Sequence, residues 1–363
     1  MKITIIGSGN AGCAQAFKFA EKGHQISLVK TSHTLHEENF DEIKKAGGIW
    51  GIDQTENNKK SFQQLYLITR DVEEGLSDAE LIVVLTQSLQ HQDIAKLISP
   101  HISDTTKMLL VIPGNLGSLF FRKELKGKDI ILAEGESTPF DARIIAPGVV
   151  NILYKNARNA LAFLPNARKE IGLNIASTLV DTYKYYRNNI VESALHNPNL
   201  VVHTIGVIMS ANRIEMMNGE FWMYRESFSP SIWNLIEALD SEKNKIISLF
   251  KGEEMSYLDA CKFRNELDLS KDSLEVFNGY AATGGPKGPA SLNTRYLYED
   301  VSVGLCLLSL LGKEYGVPTP TADALITIAS NLVKYDFQKH ARTFVDFGID
   351  NMGKDELIEF VNS

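Results

Sequence analysis

Apolar residues in the first third of the chain fall in short unbroken runs: Ile3 to Ile6, "HQISLV" (24–29), "AELIVVLT" (79–86), "KMLLVI" (107–112) and "DIILAE" (129–134). Runs of this length without polar alternation are those of strands buried on both faces. Helical stretches are expected between them, at Asn10 to Lys22 and around 88–98 and 115–125, and the polar stretch "DQTENNKKS" (53–61) reads as a surface loop. Strand and helix in alternation predict a doubly wound parallel sheet. After about residue 165 the spacing lengthens. "ARKEIGLNIASTLVDTYKYY" (167–186), "SPSIWNLIEALDSEKNKIISLF" (229–250) and "DVSVGLCLLSLLGKEYG" (300–316) carry apolar residues three and four apart, as amphipathic helices do. The expectation is α/β followed by all-α: a dinucleotide-type domain over residues 1–165 and a helical domain over 166–363. No internal repeat or low-complexity tract interrupts this plan.

Composition narrows the partners. With 363 residues, 44% hydrophobic and 23% charged, the chain can bury two cores of ordinary size. A net charge of -8 gives no overall attraction for nucleic acid or an anionic membrane, so an anionic ligand needs local positive charge. Three widely spaced cysteines (Cys13, Cys261, Cys306) offer neither a disulfide framework nor a zinc site. The N-terminal segment lacks the pattern of a signal peptide, and the longest apolar run, near "VSVGLCLLSLL", is about half a membrane span. A cytoplasmic, enzyme-sized protein is expected, with a homodimer as the base-rate assembly.

The candidate chemistry begins at "GSGNAG". Gly7, Gly9 and Gly12 follow a strand and open a helix, the context in which this spacing cradles a pyrophosphate on backbone N–H groups. Ser8, Asn10 and Ala11 belong to the same loop, and Thr86 ends a later strand on the cofactor side. An acid that would hold the ribose hydroxyls of NAD is missing from the end of the second strand. Lys30, Thr31 and Ser32 stand there, and no carboxylate follows until Glu37. A lysine with two hydroxyls suits a 2′-phosphate, so NADP(H) is expected as the preferred cofactor and NAD(H) as the second choice.

Two pairs compete for the reacting centre. "KYYRN" sets Lys184 and Asn188 four apart, a spacing that reductases of the ketopantoate and 3-hydroxyacid type use to polarise a carbonyl. "ESALHNPNLVVH" sets Asn199 and His203 four apart behind an Asn-Pro-Asn turn. A histidine exchanges protons near neutral pH and usually needs an orienting carboxylate. "RYLYEDV" (295–301) offers Glu299 and Asp300 for that purpose, with Arg295 nearby. His33 and His36 form only a loose pair, and no metal site is expected.

Four blocks in order resemble the octopine/nopaline (opine) dehydrogenases: "NPNLVVH", "GEFWMYRESFSPSIWNLIEALDSEK", "GPASLNTRYLYEDVSVGL" and "GKEYGVPTPTADALITIAS". The resemblance implies a helical domain of the 6-phosphogluconate dehydrogenase C-terminal type and an active site in the cleft between the domains. It implies condensation of an amino acid with a 2-oxo acid and reduction of the resulting imine. His203 matches the family's catalytic histidine and Asp300 its carboxylate partner. Arg295 would clamp a substrate carboxylate, and Asn199 would orient substrate or histidine.

One segment departs from the family pattern. In "AEGESTPFDAR" (133–143), Pro139 and Arg143 match, whereas Gly135 and Asp141 do not. Ser137, Thr138 and Asn115 are candidate lining for the oxo-acid pocket. "AATGGPKGPAS" (281–291) reads as either a closing loop or a connector, and "FWMY" (221–224) as core packing or pocket lining. The other readings are a ketone reductase using Lys184 and Asn188, and a non-catalytic NADP-sensing protein.

Overall fold

A computed structural model describes residues 1–283, 285 and 287–363. The chain forms two compact units, Met1–Tyr186 and Arg187–Ser363. The first unit therefore runs past the boundary expected at residue 165. The helix Lys169–Ser177 belongs to it: Gly172 lies so close to the Phe163 ring that an added Cβ would sit 2.4 Å from it.

The main sheet of the first unit has eight strands. Six of them, in the order Leu67–Thr69, Gln25–Val29, Lys2–Ile6, Leu81–Val84, Met108–Val111 and Ile131–Gly135, are parallel, which is the doubly wound arrangement expected. Ala160–Leu164 then adds antiparallel, followed by the short Tyr185–Tyr186. The strand order reverses between Lys2–Ile6 and Leu81–Val84, so the glycine loop and Thr86 flank the switch point where such sheets bind ligands.

A second sheet, in the order Lys59–Gln64, Gly48–Asp53, Val149–Lys155, Phe140–Ala146, escaped the sequence reading. The expected loop at 53–61 is mostly the end of one strand, a short 3-10 turn and the start of the next. Lys59–Gln64 is largely polar and exposed, so it carries no apolar signal. This sheet packs on the outer face of the first helix, Asn10–Glu21, where a Cβ on Gly51 would sit 2.2 Å from the Phe17 ring. That helix is buried from Gly12 to Phe19. Its single buried cation, Lys18, is met by Asp53 at 2.9 Å, Glu21 at 2.6 Å and Glu56 at 3.0 Å.

In the second unit every described element is helical. Two acids near the end of "GEFWMYRESFSPSIWNLIEALDSEK", Asp240 and Glu242, have structural partners. Within the helix Pro230–Leu249, Asp240 accepts the Tyr257 N–H at 2.6 Å and pairs with buried Lys243. Glu242 is buried and caps the helix Pro320–Val333, accepting the N–H groups of Thr321 at 2.6 Å and Ala322 at 3.0 Å. A carboxylate at a helix N-terminus meets both the free donors and the positive dipole end. Replacing Glu242 by alanine should destabilise this unit by about 2–4 kcal/mol, seen as a lower urea midpoint, and Glu242→Gln should lose roughly half as much.

Candidate active site

The glycine loop has the close-packed geometry that a dinucleotide cradle needs. Gly7 has φ of +114°, and a Cβ there would sit 2.8 Å from the Leu85 carbonyl oxygen. A Cβ on Gly12 would come within 1.8 Å of the Gly7 carbonyl, so only glycine lets helix and strand approach this closely. At Gly9 an added Cβ would meet nothing nearer than the His36 ring at 3.8 Å, which leaves room for a ligand against the backbone. Two buried hydroxyls here, Ser8 Oγ and Thr86 Oγ1, have no hydrogen-bond partner among the described residues. Together with the free first-turn N–H groups of the helix, they fit a pyrophosphate and its ribose. The Asn10 side chain has structural work, accepting the Ile144 N–H at 2.8 Å.

Beyond the second strand, the buried Lys30 Nζ donates to Ser32 Oγ at 3.1 Å and pairs with Glu37 at 3.2 Å. Sequence reading missed Arg70. It follows the three-residue strand Leu67–Thr69, whose Thr69 registers against Val29, so Arg70 and Lys30 leave adjacent strands side by side. Arg70 donates to the Ser32 carbonyl at 2.9 Å, lies 3.2 Å from His33 Nδ1 and pairs with Glu37. So short a strand is hard to see in a hydropathy pattern.

The three pocket-lining candidates in this unit are held by their own surroundings, with Ser137 Oγ accepting from Asn159 Nδ2 at 3.3 Å. Asn115 is buried, has φ of +50° and donates to Ser88 Oγ at 3.1 Å. Its loop is pinned by Glu134, which accepts from Leu116 N, Ser118 N and Ser118 Oγ. Thr138 uses its hydroxyl on the Phe140 carbonyl at 3.0 Å.

In the helical unit, the Asn-Pro-Asn turn starts the helix Asn199–Ile208 in the way its composition suggests. Asn197 Oδ1 accepts the Asn199 N–H at 3.0 Å, and the Val202 N–H reaches the Pro198 carbonyl at 3.0 Å. The two histidines of the segment then part company. His196 bonds the Glu253 carbonyl at 2.9 Å, and burial, aided by Arg187 and Lys243, holds its pKa well below the usual value. It is a neutral structural residue.

His203 is buried with Nδ1 2.7 Å from Asp300 Oδ2. A carboxylate only accepts, so Nδ1 carries the proton of this bond, and in the neutral imidazole the lone pair lies on Nε2. Nε2 has no hydrogen-bond partner among the described residues. Asp300 ends the short helix Arg295–Asp300 and is followed directly by a π-helical turn, Val301–Leu305. Gly304 in that turn lies against Leu200, where an added Cβ would be 3.2 Å away, and so admits the close approach of the two segments.

Tyr296 stacks on the His203 ring, with centroids 3.8 Å apart and planes 10° from parallel. Tyr296 and Asp300 are one helical turn apart, so a single helix face holds the imidazole in both orientation and plane. The sequence reading passed over Tyr296, although its i, i+4 relation to Asp300 was visible. Arg295 is half-exposed with only a long ion pair to Glu299, 3.7 Å, and the Asn199 side chain has no hydrogen bond among the described residues. Lys184 and Asn188 are not one turn apart on a helix. The strand Tyr185–Tyr186 intervenes, and Asn188 donates its N–H to Glu192 at 2.8 Å.

The geometry agrees with comparison to known proteins. The family described as NAD/NADP octopine/nopaline dehydrogenase, alpha-helical domain, matches residues 186–333. Residues 3–146 match the family described as ketopantoate reductase PanE/ApbA. The opine dehydrogenase of Arthrobacter sp. (strain 1C) is 29% identical, covering 96% of this chain and 95% of that protein. The chain is thus similar to octopine/nopaline dehydrogenases by family model over residues 186–333 and to opine dehydrogenase along nearly its whole length. Vitopine synthase of Allorhizobium ampelinum is 22% identical over 99% of both chains. Two solved structures share the fold. Octopine dehydrogenase in complex with NADH and agmatine has a TM-score of 0.77 at 15% identity, covering 96% of each chain. NADP+-bound yersinopine dehydrogenase has a TM-score of 0.74 at 13% identity, covering 100% of this chain and 98% of that one. These similarities indicate an NAD(P)-dependent oxidoreductase acting on a carbon–nitrogen bond.

Replacing Asp300 by asparagine should leave His203 in place but lose control of its tautomer, lowering kcat by roughly 10³–10⁴. For Tyr296, phenylalanine should preserve the stack and the rate. Leucine should reduce kcat roughly 3- to 10-fold, the worth of one aromatic pair. Steady-state kinetics on the three variants checks both expectations.

Proposed function

We propose that His203 is the acid–base residue of a reductive condensation between an amino acid and a 2-oxo acid. The observation that carries this reading is the buried His203–Asp300 hydrogen bond at 2.7 Å, with Nε2 left unpartnered among the described residues. His203 Nε2 accepts a proton from the donor's ammonium, freeing the nitrogen lone pair to attack the keto carbon. It returns that proton to the carbinolamine hydroxyl, which leaves as water and yields a protonated imine. When bound, the nicotinamide supplies the hydride that reduces the imine carbon, giving a secondary amine. Asp300 holds the Nδ1 tautomer and stabilises the imidazolium formed in between. Arg295 offers a two-pronged donor to a substrate carboxylate, and Asn199, one turn before His203, orients the reacting nitrogen.

The loop Gly7 to Gly12, with Ser8, Asn10, Ala11 and Thr86, is the expected seat of the dinucleotide. Lys30, Thr31, Ser32 and Arg70 favour the 2′-phosphate of NADP(H), with NAD(H) also accepted. The roles of Asn115 and Thr138 as pocket lining draw less support. Asn115 is already bonded to Ser88, and the Thr138 hydroxyl is bonded to the Phe140 carbonyl at the start of the next strand. The segment 281–291, read as either a closing loop or a connector, includes Gly284 and Pro286, which lie outside the described residues. Among the described residues no helix is long and apolar enough to cross a membrane. The three cysteines are free and buried, which suits the reducing cytoplasm read from the sequence.

The test is NADPH oxidation over a grid of 2-oxo acids (pyruvate, glyoxylate, oxaloacetate, 2-oxoglutarate), with and without pooled amino acids. Oxidation should require both partners. Oxidation with an oxo acid alone would make the enzyme a ketone reductase.

A further inference from the structure

We propose that Glu37 sets this enzyme's choice between NADP(H) and NAD(H), by occupying the seat that a 2′-phosphate would take. This rests on the cofactor reading above. The argument starts from register. Val29 pairs with Thr69, so the next residues, Lys30 and Arg70, leave two adjacent parallel strands as a pair of cations. Glu37, the first residue of the helix Glu37–Ala46, reaches both of them. One carboxylate oxygen lies 3.2 Å from Lys30 Nζ and the other bonds Arg70 Nη2. The remaining Arg70 nitrogen is fixed on the Ser32 carbonyl and beside His33, which aims the guanidinium fork at the same point.

Lys30 is almost fully buried, whereas the Glu37 side chain is 38% exposed. Lys30 is thus held by burial and the 27% exposed Arg70 by its bond to the Ser32 carbonyl, which leaves the anion as the member that can swing away. Two fixed cations sharing one carboxylate present a seat of the right charge for a phosphate dianion. The same carboxylate accepts a hydrogen bond from a ribose hydroxyl, the role an acid plays in NAD sites. Glu37 thus competes with the 2′-phosphate and assists the 2′-hydroxyl. The enzyme accepts both cofactors because of it, with NADP(H) ahead by a narrow margin.

Equilibrium binding of NADPH and NADH, followed by nicotinamide fluorescence and without turnover, tests this on wild type and three variants. Glu37→Gln removes the competing charge and keeps the size. It should tighten NADPH roughly tenfold and weaken NADH several-fold, the scale of one charge-assisted hydrogen bond. Glu37→Asp, with charge but shorter reach, should fall between. Arg70→Gln should weaken NADPH at least roughly tenfold while NADH changes little. Adenosine 2′-monophosphate, as a competitor, should follow NADPH through the series, and adenosine 5′-monophosphate should not. An NADPH-to-NADH affinity ratio that Glu37→Gln leaves within about twofold of wild type overturns the proposal and makes the cluster a surface ion pair. Wild type that binds neither cofactor would instead overturn the cofactor reading beneath it.

Discussion

The hydrogen bond between His203 Nδ1 and Asp300 Oδ2 is the constraint to which the helical unit's site answers. Both partners are buried, and a carboxylate in that setting needs a donor as much as the imidazole needs an orienting acceptor. The segments around them read as means to that contact. The Asn-Pro-Asn turn starts the histidine helix, Gly304 lets the π-helical turn press on Leu200, and Tyr296 closes one face of the ring. A π-helical turn is an uncommon element that tends to sit at functional sites, and this one follows Asp300 directly. What remains open on the imidazole is Nε2, the atom a proton-transfer step requires.

In the first unit the governing constraint is steric before it is electrostatic. Gly7 and Gly12 permit contacts that any side chain would forbid, so the first helix starts hard against the first strand with its N–H groups directed outward. Covering that helix with a second sheet leaves Lys18 in the interior, and three carboxylates around it are the consequence. Charge then works a second time at Lys30 and Arg70, where the fold fixes two cations and lets one acid move.

How much of this could be read beforehand follows from what hydropathy reports. The buried parallel strands were legible because their apolar runs are unbroken. The polar hairpin at 48–64 was not, since its outer strand has almost no apolar residues to periodise, and neither was the three-residue strand that delivers Arg70. The domain boundary was placed early because the helix Lys169–Ser177 looks like the start of the helical half, although it packs on Phe163. Lys184 and Asn188 showed helical spacing by coincidence on a segment that is extended. At the site, His203 and Asp300 were legible through resemblance and were then found in contact. Tyr296 was overlooked because attention went to the charged residues around it in the helix, Arg295, Glu299 and Asp300.

The most direct test is single-turnover hydride transfer in His203→Gln, with NADPH premixed with enzyme and then mixed with the amino acid and 2-oxo acid. Glutamine keeps a polar side chain of similar reach but cannot carry the proton. Binding of NADPH should stay within about threefold of wild type while hydride transfer falls roughly 10²- to 10⁴-fold. Transfer within about tenfold of wild type would contradict the assignment, and acid–base work would then belong to another group.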